Sequence, residues 1–242
     1  MSRFLYFGSV FAARFGAGKD LRITDSSQAG KAVWVAAEGK LISPSPYYLQ
    51  FSPSFLTGEG LASGKIVAMD GGRYRCRLPI LGPDWPQSPD LGLFKRLNGD
   101  RGEKDSLRFY AKSSLRSDDL VPVIIWPGPL DDRHIQVGAA NSLATDRYLP
   151  RDFGFLPVLE PILDYAPEGL VGQRVCVMMP GDILRGRLVS HTPYELVMEV
   201  SPGEYPEEED AFDGWGKWLE DGLVMLDRES MLNLYPQGRP GL

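Results

Sequence analysis

The segments whose residue types could do chemistry are few. Asp131-Asp132-Arg133-His134 sets an acid pair beside a histidine, a grouping that could bind a metal ion or shuttle a proton. Consecutive residues of an extended loop point in different directions, so these side chains do not converge on one ion, and the run reads as a solvated loop. Ser190-His191 joins a hydroxyl to an imidazole but has no third member, and strand neighbours face opposite sides, so it reads as a strand end. In Gly16-Ala17-Gly18-Lys19-Asp20 the spacing of a phosphate loop fails twice. Ala13 stands where a glycine is required and Asp20 where Ser or Thr would ligate magnesium, which leaves a turn between strands. Trp215-Gly216-Lys217-Trp218-Leu219 is different. Two tryptophans inside a polar, acidic stretch have little core to enter unless the loop folds back or meets a partner, so Trp215 and Trp218 are candidate partner contacts.

Composition narrows the chemistry further. With only Cys76, Cys176, His134 and His191, a structural zinc site lacks its ligands, and the strand-like flanks of both cysteines read as two buried thiols. No metal and no cofactor is expected. The net charge of −6 opposes broad binding to a phosphate backbone, which relies on clustered Lys and Arg. No apolar run approaches the roughly 18–20 residues that cross a bilayer. The apolar stretch of Met1–Phe7 is broken by Gly8 and Ser9, which is poor signal-peptide character, so a cytoplasmic site and no membrane partner are expected.

The elements that must position these residues are short. Twenty prolines and 27 glycines spread over 242 residues, without long amphipathic periodicity, predict a mainly β chain with minor α. Strands are expected at Ala32–Ala37, Lys65–Met69, Tyr74–Leu78 and Val121–Trp126. A helix is expected after Ser88, with Pro89 in its first turn, Leu93, Phe94 and Leu97 facing a core, and Asn98-Gly99 ending it. The turn-rich Asp164–Gly169 marks a boundary between an N-terminal β-rich recognition domain, residues 1–163, and a C-terminal domain, residues 168–240. In the latter, strands are expected at Gln173–Met179, Ile183–His191, Tyr194–Val200, Gly222–Arg228 and Ser230–Tyr235, with an acidic insertion at 204–221. The run Glu204–Asp213 is too acidic to pack and reads as a mobile, solvated loop. Five short strands in this order suit a small barrel, with Gly186 placed where a strand must kink.

Pro180–His191, Tyr194–Met198 and Val224–Pro236 together resemble the Sm and Hfq family, with its turn glycine, Leu-x-Gly second strand, apolar third strand and closing pair of strands. The resemblance implies a five-stranded Sm/SH3-like barrel able to form homo-oligomers through edge strands. Where Hfq carries a Tyr-Lys-His run that grips RNA, this chain has Asp227, Arg228 and Glu229, so the same resemblance weakens RNA binding and leaves Arg185, Arg187 and Arg228 as the candidate contacts. A second stretch, Gly71–Gly82 together with the helix after Asp90 and Gly154–Glu160, resembles the C-type-lectin-like fold of phage-associated and formylglycine-enzyme-like proteins, with Leu156 in place of the usual arginine. That resemblance implies an α+β N-terminal domain whose recognition surface includes Asn141, Arg147 and Tyr148.

These expectations rank three functions. The first is a non-enzymatic binding or assembly protein, of phage or mobile-element type, that engages a protein partner. The second is an RNA-associated Sm-like protein. The third is an enzyme of unrecognised type acting through Asp131, Asp132 and His134.

Overall fold

The computed structural model describes residues 4–15, 18–27, 30–44, 47–48, 53–80, 89–90, 92–93, 111–113, 116–121, 123–125, 136–139, 142–144, 154–200, 212 and 214–237. The chain is mainly β. It opens with β1 (Phe4–Tyr6), β2 (Ser9–Phe15), β3 (Gly18–Thr24), β4 (Val33–Ala37), β5 (Lys40–Ile42) and β6 (Tyr47–Tyr48). The helix α1 (Pro53–Gly58) is followed by β7 (Lys65–Met69), β8 (Gly72–Arg77), β9 (Ala111–Ser113), β10 (Arg116–Val121), β11 (Val123–Ile125), β12 (Gln136–Ala139), β13 (Ser142–Ala144), β14 (Gly154–Phe155) and β15 (Val158–Pro161). The C-terminal part holds β16 (Arg174–Met179), β17 (Asp182–His191), β18 (Glu195–Val200), β19 (Gly216–Trp218), β20 (Leu223–Asp227) and β21 (Asn233–Pro236). Among the described residues, no helix is long and apolar enough to cross a membrane.

Two six-stranded sheets dominate. The N-terminal sheet has the order β1-β4-β5-β15-β8-β7 and the C-terminal sheet the order β19-β20-β18-β17-β16-β21. A smaller sheet of order β13-β12-β11-β14-β6 and the separate pairs β10-β9 and β2-β3 make up the other sheets among the described residues. Two hairpins of the N-terminal sheet turn on residues with positive φ, Glu38-Gly39 between β4 and β5 and Asp70-Gly71 between β7 and β8. Such turns match the right-handed twist of the strands they join.

The N-terminal sheet buries Leu5, Trp34, Leu41, Tyr74, Cys76 and Leu159 on one face. Met178 of β16 and Leu232, the residue before β21, belong to that same core, so the two sheets pack on one another. The C-terminal sheet has its own core of Val175, Val177, Leu184, Leu188, Leu196, Met198, Val224, Leu226 and Leu234. The alternate residues of β18 and β20 that point inward are buried and their neighbours are more exposed, the period-two signature of a sheet with one buried face.

Expected and observed strands agree closely at Lys65–Met69 and for β16, β17, β18 and β20, while the last strand, expected from Ser230, begins at Asn233. The insertion departs from expectation. Phe212 is buried, and Gly216–Trp218 folds back as a sixth strand beside β20, followed by a short 3-10 turn at Glu220–Gly222. The other residues of the 204–213 run lie outside the described residues. Of the helix expected after Ser88, only Pro89, Asp90, Gly92 and Leu93 are described. Leu93 is buried as expected, and Gly92 and Leu93 form a helical turn.

Candidate partner-binding surfaces

The β2–β3 hairpin stands apart from both large sheets. Seven residue pairs, from Ser9↔Thr24 to Phe15↔Gly18, join its strands, and among the described residues neither strand pairs with a third. Its base is fastened in two ways. Val10, Leu21 and Ile23 pack against the N-terminal core. Asp70, in the β7–β8 turn, ties down both feet: its Oδ2 accepts the Gly8 N–H at 3.0 Å and the Ser26 hydroxyl at 2.5 Å, while its Oδ1 accepts the Ser26 N–H at 2.7 Å. The Asp70 N–H in turn donates to Asp25 Oδ1 at 2.6 Å. Burial pushes the Asp70 carboxyl up, but hydrogen bonds from Ser26 and Gly8 and the charge of Arg185 outweigh it and hold the group below its ordinary value. A two-stranded ribbon is marginal in water by itself, and this anchorage lets it stand.

Farther along the ribbon, Phe11 is 43% exposed and the Arg22 guanidinium lies 5.7 Å above its ring, with Asp20 paired to Arg22. An aromatic face with a cation and a carboxylate beside it offers apolar area and directional polar contacts together, the mixture that protein interfaces favour. Lys19 and Asp20, from the segment that failed as a phosphate loop, are strand residues of β3 set opposite Arg14 and Ala13. Gly16 and Ala17 lie outside the described residues.

The second surface is the edge of the C-terminal sheet. Trp215 is 4% exposed and meets Phe212 edge-on at 4.9 Å, and Trp218 meets Phe212 at 5.4 Å. Both tryptophans pack on the C-terminal core, Trp218 with part of its surface exposed. The loop folds back to supply the burial that its sequence alone left open.

Between the sheets lies a buried polar seam. The Tyr74 hydroxyl approaches Met178 Sδ at 4.0 Å, and Gly72 is pressed so closely against Tyr74 and Tyr235 that a Cβ there would sit 2.7 Å from the Tyr74 hydroxyl. Burial pushes both phenols well up, with Tyr74 raised further by Tyr235 and Tyr235 by Cys176, so both stay protonated at neutral pH. Burial likewise pushes the Cys76 thiol up to about 12, which removes it as a nucleophile. Asn233 is 1% exposed, with Oδ1 accepting the Leu234 N–H and the side chain lying beside the Tyr74 phenol. Nearby, Glu38, Gly39, Pro180, Glu229 and Met231 line a cleft of about 180 Å³.

The remaining sequence candidates separate. Asn141, Arg147, Tyr148, Asp131, Asp132 and His134 lie outside the described residues. The Arg187 guanidinium donates to Glu199 Oε2 at 2.8 and 2.6 Å on the exposed face of the C-terminal sheet. Arg228 Nη1 donates to the Thr192 carbonyl at 2.5 Å, past the end of β17, and Arg185 sits near Asp70 and Asp182 in the seam. Ser190 is exposed near the end of β17, whose last residue is His191. Among the described residues, no three His, Cys, Asp or Glu side chains are grouped as a metal site. The turn between strands read at Gly16–Asp20 is where the ribbon reverses, whereas its anchoring by Asp70 was not read from the sequence. No protein-family model matches the chain, and no curated protein or solved structure matches it either.

Proposed function

We propose that this chain is a non-enzymatic binding and assembly protein that engages a protein partner through the β2–β3 ribbon. The ribbon carries the reading: it pairs with no third strand among the described residues, it is pinned at both feet by Asp70, and it presents Phe11 and Arg22 away from both cores. A rigidly mounted aromatic-cation pair loses little conformational entropy on binding, which favours its use as an anchor. In this reading the C-terminal domain is an Sm-like barrel, supported by the return of β21 to pair with β16 and by the close approach of β18 at Gly186. The N-terminal half is a C-type-lectin-like recognition domain of a phage-associated kind, supported by the Gly154–Glu160 segment, whose β15 lies between β5 and β8.

An RNA-associated role is the second reading. The Sm-like sequence pattern favours it, while the engagement of Arg187 by Glu199 and the net charge of −6 weigh against it.

A photoreactive phenylalanine analogue placed at position 11, in cells that naturally make the protein, tests the proposal. Position 194 serves as the control, since Tyr194 is 71% exposed but lies in the C-terminal sheet's turn. A discrete protein adduct at position 11 that is absent at 194 is expected. Adducts at 11 no stronger than at 194 overturn the proposal, and adducts removed by ribonuclease favour the RNA reading.

A further inference from the structure

The outer edge of β20 is an occupied pairing surface. β20 pairs with β18 over five residues on its inner side and with β19 over Gly216↔Leu226, Lys217↔Met225 and Trp218↔Val224 on its outer side. Two hydrogen bonds extend that outer pairing: Leu219 N–H to the Leu223 carbonyl at 2.8 Å, and Asp227 N–H to the Trp215 carbonyl at 2.9 Å. In an antiparallel pair, alternate residues direct their backbone groups to the same side. Leu223, Met225 and Asp227 therefore turn their N–H and C=O groups outward, to β19.

Uncovered, this edge is self-complementary. It would offer an acceptor at Leu223 and a donor at Asp227, equally spaced about Met225. A two-fold axis through Met225 would set the Leu223 carbonyl of one copy against the Asp227 N–H of another, and the reverse. The same two groups that Leu219 and Trp215 now satisfy would then satisfy each other. Exposed edges of this kind template pairing with another chain, and a closed symmetric dimer uses one patch twice.

We infer that the outer edge of β20 is a self-association surface for a second copy of this chain, and that β19 holds it closed. The aromatic residues of the insertion are the fastening. Phe212 and Trp215 are buried in the C-terminal core, and Trp218 packs on Phe212 from the other end of the three-residue strand. The turns on either side use positive φ at Gly214, Asp221 and Gly222, which lets the chain reverse sharply and lie along β20. This closure is independent of the β2–β3 ribbon, and either proposal can fail without the other.

Two variants open the edge by different means. In the first, residues 201–221 are replaced by Asn-Gly. The last β18–β20 pair is Glu199↔Leu223, so Val200 and Gly222 stand where a two-residue hairpin turn can join them. In the second, Lys217→Pro removes the central β19 pairing and leaves Phe212, Trp215 and Trp218 in place. Light scattering is expected to show, for each variant, a concentration-dependent rise in mass to about two-fold that of the intact chain. Adding Met225→Pro to either variant is expected to return the mass to that of the intact chain. The Met225 N–H points to the outer edge, so a proline there spares the pairing with β18. The inference is overturned if Lys217→Pro keeps the intact chain's mass at all concentrations, even where the replacement variant does not fold. It is equally overturned if the gain in mass survives Met225→Pro, because the association is then a general effect of exposed core.

Discussion

In the C-terminal sheet β16, β17 and β18 pair in sequence order, β20 joins β18 with β19 folded back on its outer side, and β21 returns to β16. In the N-terminal sheet, β15 enters between β5 and β8, and the contact that seals it joins Arg77 to Glu160, 83 residues apart. The first sheet is held by an apolar interior. The second adds a buried ionic clamp. Arg77, 4% exposed, reaches Asp90 with two nitrogens at 2.6 and 2.9 Å and Glu160 at 2.9 and 2.5 Å, and it also donates to the Leu78 carbonyl. Asp90, fully buried, accepts further bonds from the Ile80 N–H and from Lys40 Nζ. Burial by itself disfavours the charge on both groups. The Arg77 hydrogen bonds and charge instead hold Asp90 below its ordinary value, and Asp90 and Glu160 hold Arg77 above its own. Where chain neighbours pair, side-chain alternation suffices. Where distant segments must meet, a directional, fully satisfied polar cluster can fix which strand goes where.

Removing one side of that clamp is the most severe test of this contrast. Asp90→Ala leaves Arg77 buried with only one of its two carboxylate partners and is expected to cost about 3–5 kcal/mol in urea unfolding. Because Met178 and Leu232 belong to the N-terminal core, the loss should be felt in the C-terminal sheet as well. The slowest-exchanging amides of β8 and β16 are then expected to lose protection together. Retention of β16 protection while β8 exchanges freely would show instead that the two sheets unfold as separate units.

The same contrast explains what the sequence could and could not disclose. The strands of the C-terminal sheet could be read to within a few residues because their signals are local: apolar alternation, Pro180-Gly181 and Thr192-Pro193 turns, and a mid-strand glycine. The pairing of β15 between β5 and β8 leaves no local mark, and the arginines at 73, 75 and 77 look alike in sequence. Only the fold sets Arg73 on exposed Asp164 and Arg77 in the buried clamp. Trp215 and Trp218 were legible as unusual, but their burial depends on a loop that returns to β20, a long-range event again. The β2–β3 ribbon was legible in part: Gly16–Asp20 reads as a turn between strands and β2 and β3 flank it, but the extent of the strands and the Asp70 anchor, more than 40 residues from Ser26, leave no local mark.

A smaller effect is expected where the C-terminal sheet is tightest. A Cβ on Gly186 would lie 2.2 Å from the Glu199 carbonyl oxygen, a backbone atom that cannot swing aside. Gly186→Ala should therefore force β17 and β18 apart and cost about 1–3 kcal/mol. Gly169, where an added methyl group would meet open space out to 4 Å, is the matched control, with Gly169→Ala expected to change stability by no more than about 0.5 kcal/mol. Equal effects at both positions would mean that the close approach of β17 and β18 is not what Gly186 provides.

The mildest test falls on Asp70, where the N-terminal sheet holds the ribbon. Asp70→Asn replaces an acceptor of three hydrogen bonds by a group with one oxygen and two donors, so at least one of Gly8 and Ser26 loses its partner. Partial exposure of the site limits the cost to about 1–2 kcal/mol. The folded carboxyl titrates below its unfolded value, so its contribution is present in full above the unfolded titration and is lost as pH falls through the lowered folded one. The gap between the parent chain and Asp70→Asn is therefore expected to be constant near neutrality and to close below about pH 4. Amide exchange within residues 9–24 should quicken in the variant while β16 and β17 keep their protection. A gap that widened on acidification would mean that the carboxylate destabilises the ribbon's base, and the anchorage of the ribbon would then rest on Val10, Leu21 and Ile23 alone.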